Sequence, residues 1–222
     1  MIKDFDLLQR ANNDYTTIDL EHAEELAYRE LIDSIRYIPL GDECGVMGNI
    51  ANIITYKGRF YIQEEQFDRV FIYDDTGRCL KKIDNKGRGP GEYLRIESID
   101  INTEKEELML VDGMSDKLFF YDLDGNFKSI HSIRYFQTEN TLCLRDSVFL
   151  HISAPSQNFG NEGLYGYALV LSKGNENFLK GYRYLPLQVG YKGGGQIFKG
   201  YERSCYHPIY SDTIYQILSD TT

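Results

Sequence analysis

The chain has 222 residues, 42% of them hydrophobic and 26% charged, which is enough apolar content for a sizeable core and rules out disorder as a global description. A balance of 34 acidic against 24 basic residues gives a net charge of −10, which repels phosphate backbones and anionic lipid at long range, so nucleic acid is not an expected partner. No stretch approaches the roughly 18 apolar residues of a transmembrane helix, and MIKDFDLLQRANNDYTTIDL lacks the apolar core of a signal peptide.

Residues 1–34 form a leader. Within them, Leu20, Ala23, Leu26, Ala27 and Leu31 recur at helical spacing and predict a short helix. Residues 35–40 read as a strand that would close a ring by completing its last blade. From residue 35 to 222 the pattern is all β. The segment FYIQEEQFDRVFIYDDTGRCL, starting at Phe60, lies without a gap on LMLVDGMSDKLFFYDLDGNFK, starting at Leu108, at an offset of 48. Asp68 falls on Asp116, Phe71 on Phe119, Tyr73 on Tyr121 and Gly77 on Gly125. Each copy holds β-rich runs joined by polar and Asp/Gly turns, and a further strand precedes each, at residues 49–56 and 95–102.

A third unit is looser, with strands at residues 147–153, 165–172 and 178–185 and a long loop at 154–163. A fourth is announced by Ser211-Asp212-Thr213-Ile214-Tyr215, which repeats the type of Ser115-Asp116-Lys117-Leu118-Phe119. Four-stranded units of about 40–50 residues are the signature of a β-propeller. Blades are expected at about 49–84, 95–132, 134–186 and 195–222. This is about three and a half blades, an incomplete ring with open edges prone to self-association.

Cys44, Cys79, Cys143 and Cys205 are far apart, with no C-x-x-C pair, and read as free thiols, although an even count permits disulfides. The histidines His22, His131, His151 and His207 are scattered; His151 and His207 are candidates for a channel metal site. Asp68 and Asp116 read as strand caps before they read as ligands, and residues 122–126 as a hairpin turn before a calcium loop, since position 12 is Ile133 and not Glu. Nine tyrosines between residues 165 and 215 read mostly as packing between blades. Gly193-Gly194-Gly195 reads as a connection on the ligand face.

The run Lys86-Gly87-Arg88-Gly89-Pro90-Gly91-Glu92-Tyr93 resembles the junction motif of the six-bladed β-propeller family of anaerobic gut bacteria, relatives of NHL-type propellers. Residues 34–40, the blade strands and residues 211–215 are also similar to that family. The resemblance implies six blades, export to the periplasm or cell surface as a lipoprotein, and no defined activity.

In such blades the turns between second and third strands and the connections between blades emerge on one face, the usual ligand face. It should carry Glu64, Asp112, Arg88, Glu92 and Tyr93, with Arg88 and Glu92 projecting charge at the channel mouth or locking neighbouring blades together. The expected function is non-enzymatic binding of a small molecule, glycan or peptide, with no cofactor or metal. The alternative is a metal-dependent lyase or hydrolase acting in the channel. No nucleophile motif is present.

Overall fold

The computed structural model describes residues 32–133, 138–145, 147–152, 166–174, 177–184, 195–199, 204–208 and 214–217. They form four small antiparallel sheets arranged as propeller blades. Blade 1 comprises β1 (Ile50–Tyr56), β2 (Arg59–Glu64), β3 (Arg69–Asp74) and β4 (Cys79–Ile83). Blade 2 comprises β5 (Ser98–Asn102), β6 (Glu107–Asp112), β7 (Lys117–Asp122) and β8 (Phe127–Ser132). Blade 3 comprises β9 (Asn140–Arg145), β10 (Val148–Ile152), β11 (Tyr167–Lys173) and β12 (Asn177–Tyr184). Blade 4 shows three strands among the described residues: β13 (Gln196–Lys199), β14 (Ser204–His207) and β15 (Tyr215–Ile217). In every sheet the strands pair in chain order.

The 48-residue offset holds down to backbone detail. All four strands of blade 2 start 48 residues after their counterparts in blade 1. Asp68 and Asp116 share a positive φ (57° and 54°), and the glycines of the third turns, Gly77 and Gly125, share another (87° and 78°). The β-bulge between Ile72 and Tyr73 recurs between Phe120 and Tyr121. The polar turns repeat too: Asp74 Oδ1 accepts the Thr76 and Arg78 amides, and Asp122 Oδ1 accepts those of Asp124 and Asn126.

The core lies between blades. Tyr61, Val70, Ile72 and Ile83 of blade 1 meet Ile99, Leu108, Leu110, Phe119 and Tyr121 of blade 2. Met109, Val111, Leu118 and Phe120 on the other side of blade 2 meet Cys143 and Phe149 of blade 3. Leu142, Leu150 and Leu171 of blade 3 cluster with Ile197 and Ile217 of blade 4. Middle strands are thus covered on both faces, which is why β3, β6 and β7 read as continuous apolar runs and not as alternation.

Two expectations change. Residues 35–40 pair in no sheet; this segment and the residues after it lie against the side of blade 1 that faces away from blade 2. Cys44 and Cys79 are joined in a disulfide, with Cα atoms 6.0 Å apart, while Cys143 and Cys205 are free. Sequence spacing does not disclose this pair, because the 35 residues between them are drawn together only by the blade fold. The expected helix over residues 20–31, the loop at 154–163, Gly193, Gly194 and Asp212 lie outside the described residues.

Candidate functional site

The junction between blades 1 and 2 is organised around Tyr93. Its ring is buried edge-on against Phe119, with centroids 6.0 Å apart. Its hydroxyl donates to Asp68 O at 2.8 Å and accepts the Asn85 amide at 3.1 Å. Burial pushes this phenol well above its ordinary range. Tyr93 O in turn accepts the Gly87 amide, so the residue pins both ends of the loop between β4 and β5.

Within that loop Glu92 folds back, its Oε2 accepting the Gly89 amide at 2.7 Å. A Cβ at Gly87 would meet only the end of this exposed carboxylate side chain, which can swing aside. Arg88 is exposed and forms no ion pair among the described residues. Glu64 and Asp112 occupy the same repeat position and are both buried. Glu64 accepts the Gln66 and Phe67 amides. Asp112 accepts the Leu94, Met114 and Ser115 amides and the Ser115 hydroxyl. Of the five residues singled out from sequence, Tyr93, Glu64 and Asp112 are buried and bonded to backbone groups, and Arg88 and Glu92 are exposed.

A cleft of about 480 Å³ opens between the start of blade 1 and the entry to blade 2, lined by Asn49, Gln63, Glu65, Asp68, Arg95 and Glu97 among others. Its floor is the peptide of Ile96, whose N–H is held by Asp68 Oδ1 at 3.1 Å and whose carbonyl accepts Gln63 Nε2 at 3.0 Å. Gln63 is only 3% exposed, and its Oε1 has no partner among the described residues. Asp68 Oδ2 also takes Lys86 Nζ at 2.5 Å, which couples the cleft to the glycine-rich loop.

Arg95 and Glu97 flank Ile96 just ahead of β5, and an ion pair holds the two side chains together. Arg95 Nε lies 3.3 Å from Glu97 Oε1, which leaves the two terminal guanidinium nitrogens without a described partner. Burial raises the Glu97 carboxyl above its usual range; Arg95 opposes that rise, and the charges of Asp68, Asp112 and Glu139 add to it. Chemically the cleft offers a donor fork, carboxylate acceptors and amide groups, a set suited to a polar ligand.

Sequence reasoning passed over Gln63, Arg95 and Glu97. Their signals were present: a lone amide within an apolar strand, and an Arg-x-Glu pair just before one.

His151 does not serve a metal. It is fully buried, with Thr141 Oγ1 at 2.9 Å from Nδ1 and Ser172 Oγ at 2.7 Å from Nε2. Among the described residues no three His, Cys, Asp or Glu side chains converge as a metal site. Also among these residues, no helix is long and apolar enough to cross a membrane.

Residues 15–222 match the family model described as Domain of unknown function (DUF4934). The chain belongs to this family. In structure it is similar to a protein of Bacteroides fragilis named as exported, with a TM-score of 0.73 and 19% identity over 84% of this chain and 53% of that one. That likeness is one of fold. A member of the DUF4221 family from Bacteroides vulgatus matches at a TM-score of 0.47 and 11% identity, over 78% of this chain and 55% of that one. The chain thus spans about half the length of these two solved structures. No curated protein matches it in sequence.

Proposed function

We propose that this DUF4934 chain is a non-enzymatic binding module whose ligand, a small polar molecule, glycan or short peptide, sits in the cleft between blades 1 and 2. The observation that carries the reading is the cleft itself, whose lining brings together Gln63, Asp68, Arg95 and Glu97 at the junction of two blades, with the terminal nitrogens of Arg95 unpaired among the described residues. In this reading Tyr93, Glu64 and Asp112 hold the walls, and Arg88 and Glu92 form an outer rim. In this reading the ring is of the six-bladed kind, supported by the resemblance of the glycine-rich junction to that class. Export is supported by the Cys44–Cys79 disulfide, which persists in oxidising compartments, and by the name of the Bacteroides fragilis relative.

The test is titration by NMR with maltotriose, N,N′-diacetylchitobiose and trialanine. At least one should give saturable shifts at residues 63–68 and 95–97, weakened at least tenfold by Arg95→Gln. Saturation that ignores Arg95→Gln, or no saturable shift with any of the three, removes the proposal.

A further inference from the structure

We propose that the Cys44–Cys79 disulfide is a redox lock on a cover over blade 1, opened by a dithiol that attacks from the Cys44 side. The cover is the segment from Arg36 to Met47. It adds no strand to the sheet, yet Cys44 and Met47 pack on the apolar cluster of Ile62, Phe71, Tyr73 and Cys79, on the face turned away from blade 2. A few hydrogen bonds tie it down. Gly41 N donates to Gly77 O at 2.8 Å, Tyr73 Oη to Gly41 O at 3.2 Å, Arg36 Nη2 to Asp75 O at 2.8 Å and Cys79 N to Glu43 Oε2 at 3.3 Å. The fit is close at the β3–β4 turn, where a Cβ on Gly77 would overlap Pro39 O.

On its outer side the cover meets water: Tyr37 is 87% and Val46 86% exposed. Isolated, partly solvated hydrogen bonds are individually weak, so the covalent tie decides whether the cover stays down. Were it to lift, Ile62, Phe71 and Tyr73, now buried, would lose their packing against Cys44 and Met47.

The two sulfurs differ in access. Cys79 is 7% exposed in β4, whereas Cys44 is partly exposed in the cover. Thiol–disulfide exchange follows access. A thiolate of the dithiol attacks Cys44 Sγ; the Cys44–Cys79 bond breaks, and Cys79 leaves as a thiolate that takes up a proton. The dithiol's second thiol then attacks its own sulfur in the mixed disulfide and releases Cys44 as a thiol. The protein disulfide gains two electrons and two protons, and the dithiol becomes a disulfide.

Hydrogen–deuterium exchange of the oxidised and reduced protein tests the lock, with dithiothreitol as the probe. Reduction should speed exchange across residues 36–47 at least tenfold and leave β6 and β7 unchanged. A thioredoxin whose resolving cysteine is replaced by serine should be captured on Cys44, read by peptide mass. The double variant Cys44→Ser/Cys79→Ser should match the reduced protein; because that variant could fail to fold, reduction of the folded wild type is the deciding measurement. Unchanged exchange over 36–47, simultaneous opening of β2 and β3, or capture on Cys79 would each overturn the proposal.

Discussion

His151 shows what burial does to a single side chain. Enclosed between Thr141 and Ser172, its imidazole is pushed down to about 3 from an ordinary 6.5, because a charged ring has no water to solvate it. Between those values the unfolded chain binds the extra proton and the folded chain does not. Stability from this residue is therefore complete above pH 6.5 and falls as the pH drops towards 3, with a slope approaching ~1.4 kcal/mol per pH unit. Urea midpoints of the wild type and His151→Gln between pH 7 and pH 4.5 should converge as the pH falls, because the variant lacks this slope; parallel profiles would show that His151 does not titrate in this way. At the same scale, the Glu64 and Asp112 carboxylates are engaged by backbone amides. Glu64 and Asp112 recur at one repeat position because in blades 1 and 2 a carboxylate satisfies the amides of the turn, a demand that residue type alone does not distinguish from ligand binding.

At the scale of elements, the glycine-rich junction was legible as a loop between blades, and its hub was Tyr93, a residue expected at the ligand. An aromatic at a loop's end can stack on a ligand or plug a seam; here the seam between blades 1 and 2 takes the ring, and the hydroxyl is spent on backbone groups. Gly87→Ala should displace the Glu92 carboxylate from the Gly89 amide at a cost of only about 0.5 kcal/mol, because the exposed Glu92 side chain can swing aside. Thermal unfolding will read the loss, and a Glu92→Ala background should remove most of it, since the obstacle is then gone. From sequence, residues 35–40 of the covering segment read as a strand that closes the ring. Whether residues 35–40 pair as a strand depends on a neighbour, and β1 to β4 present this segment with a sheet face and not an edge.

The whole molecule is tied by contacts between inner strands as well as by the seams. Asp100 on β5 accepts the Cys143 amide of β9 at 2.8 Å and pairs with Lys199 on β13 at 2.5 Å, so one carboxylate links blades 2, 3 and 4. Burial pushes its carboxyl up against the opposing pull of Lys199. Asp100→Asn keeps the shape but leaves Lys199 without its counter-charge, and should cost about 1–3 kcal/mol because Lys199 is partly solvated. Urea denaturation of this variant and of Asp100→Asn/Lys199→Met should show the double variant recovering stability; equal losses in both would mean that the pair does not link the blades.

By itself the sequence determined the all-β propeller fold, because a 48-residue repeat with matched turns and apolar runs satisfies its backbone locally and gives blades 1 and 2 the same solution. It could not determine which polar residues are free. Gln63, Arg95 and Glu97 line a cleft, while Glu64, Asp112 and Tyr93 are consumed by the scaffold, because availability depends on which backbone amides and blade faces arrive opposite each side chain. Those partners lie in other strands and other blades, so only the tertiary structure could decide between them.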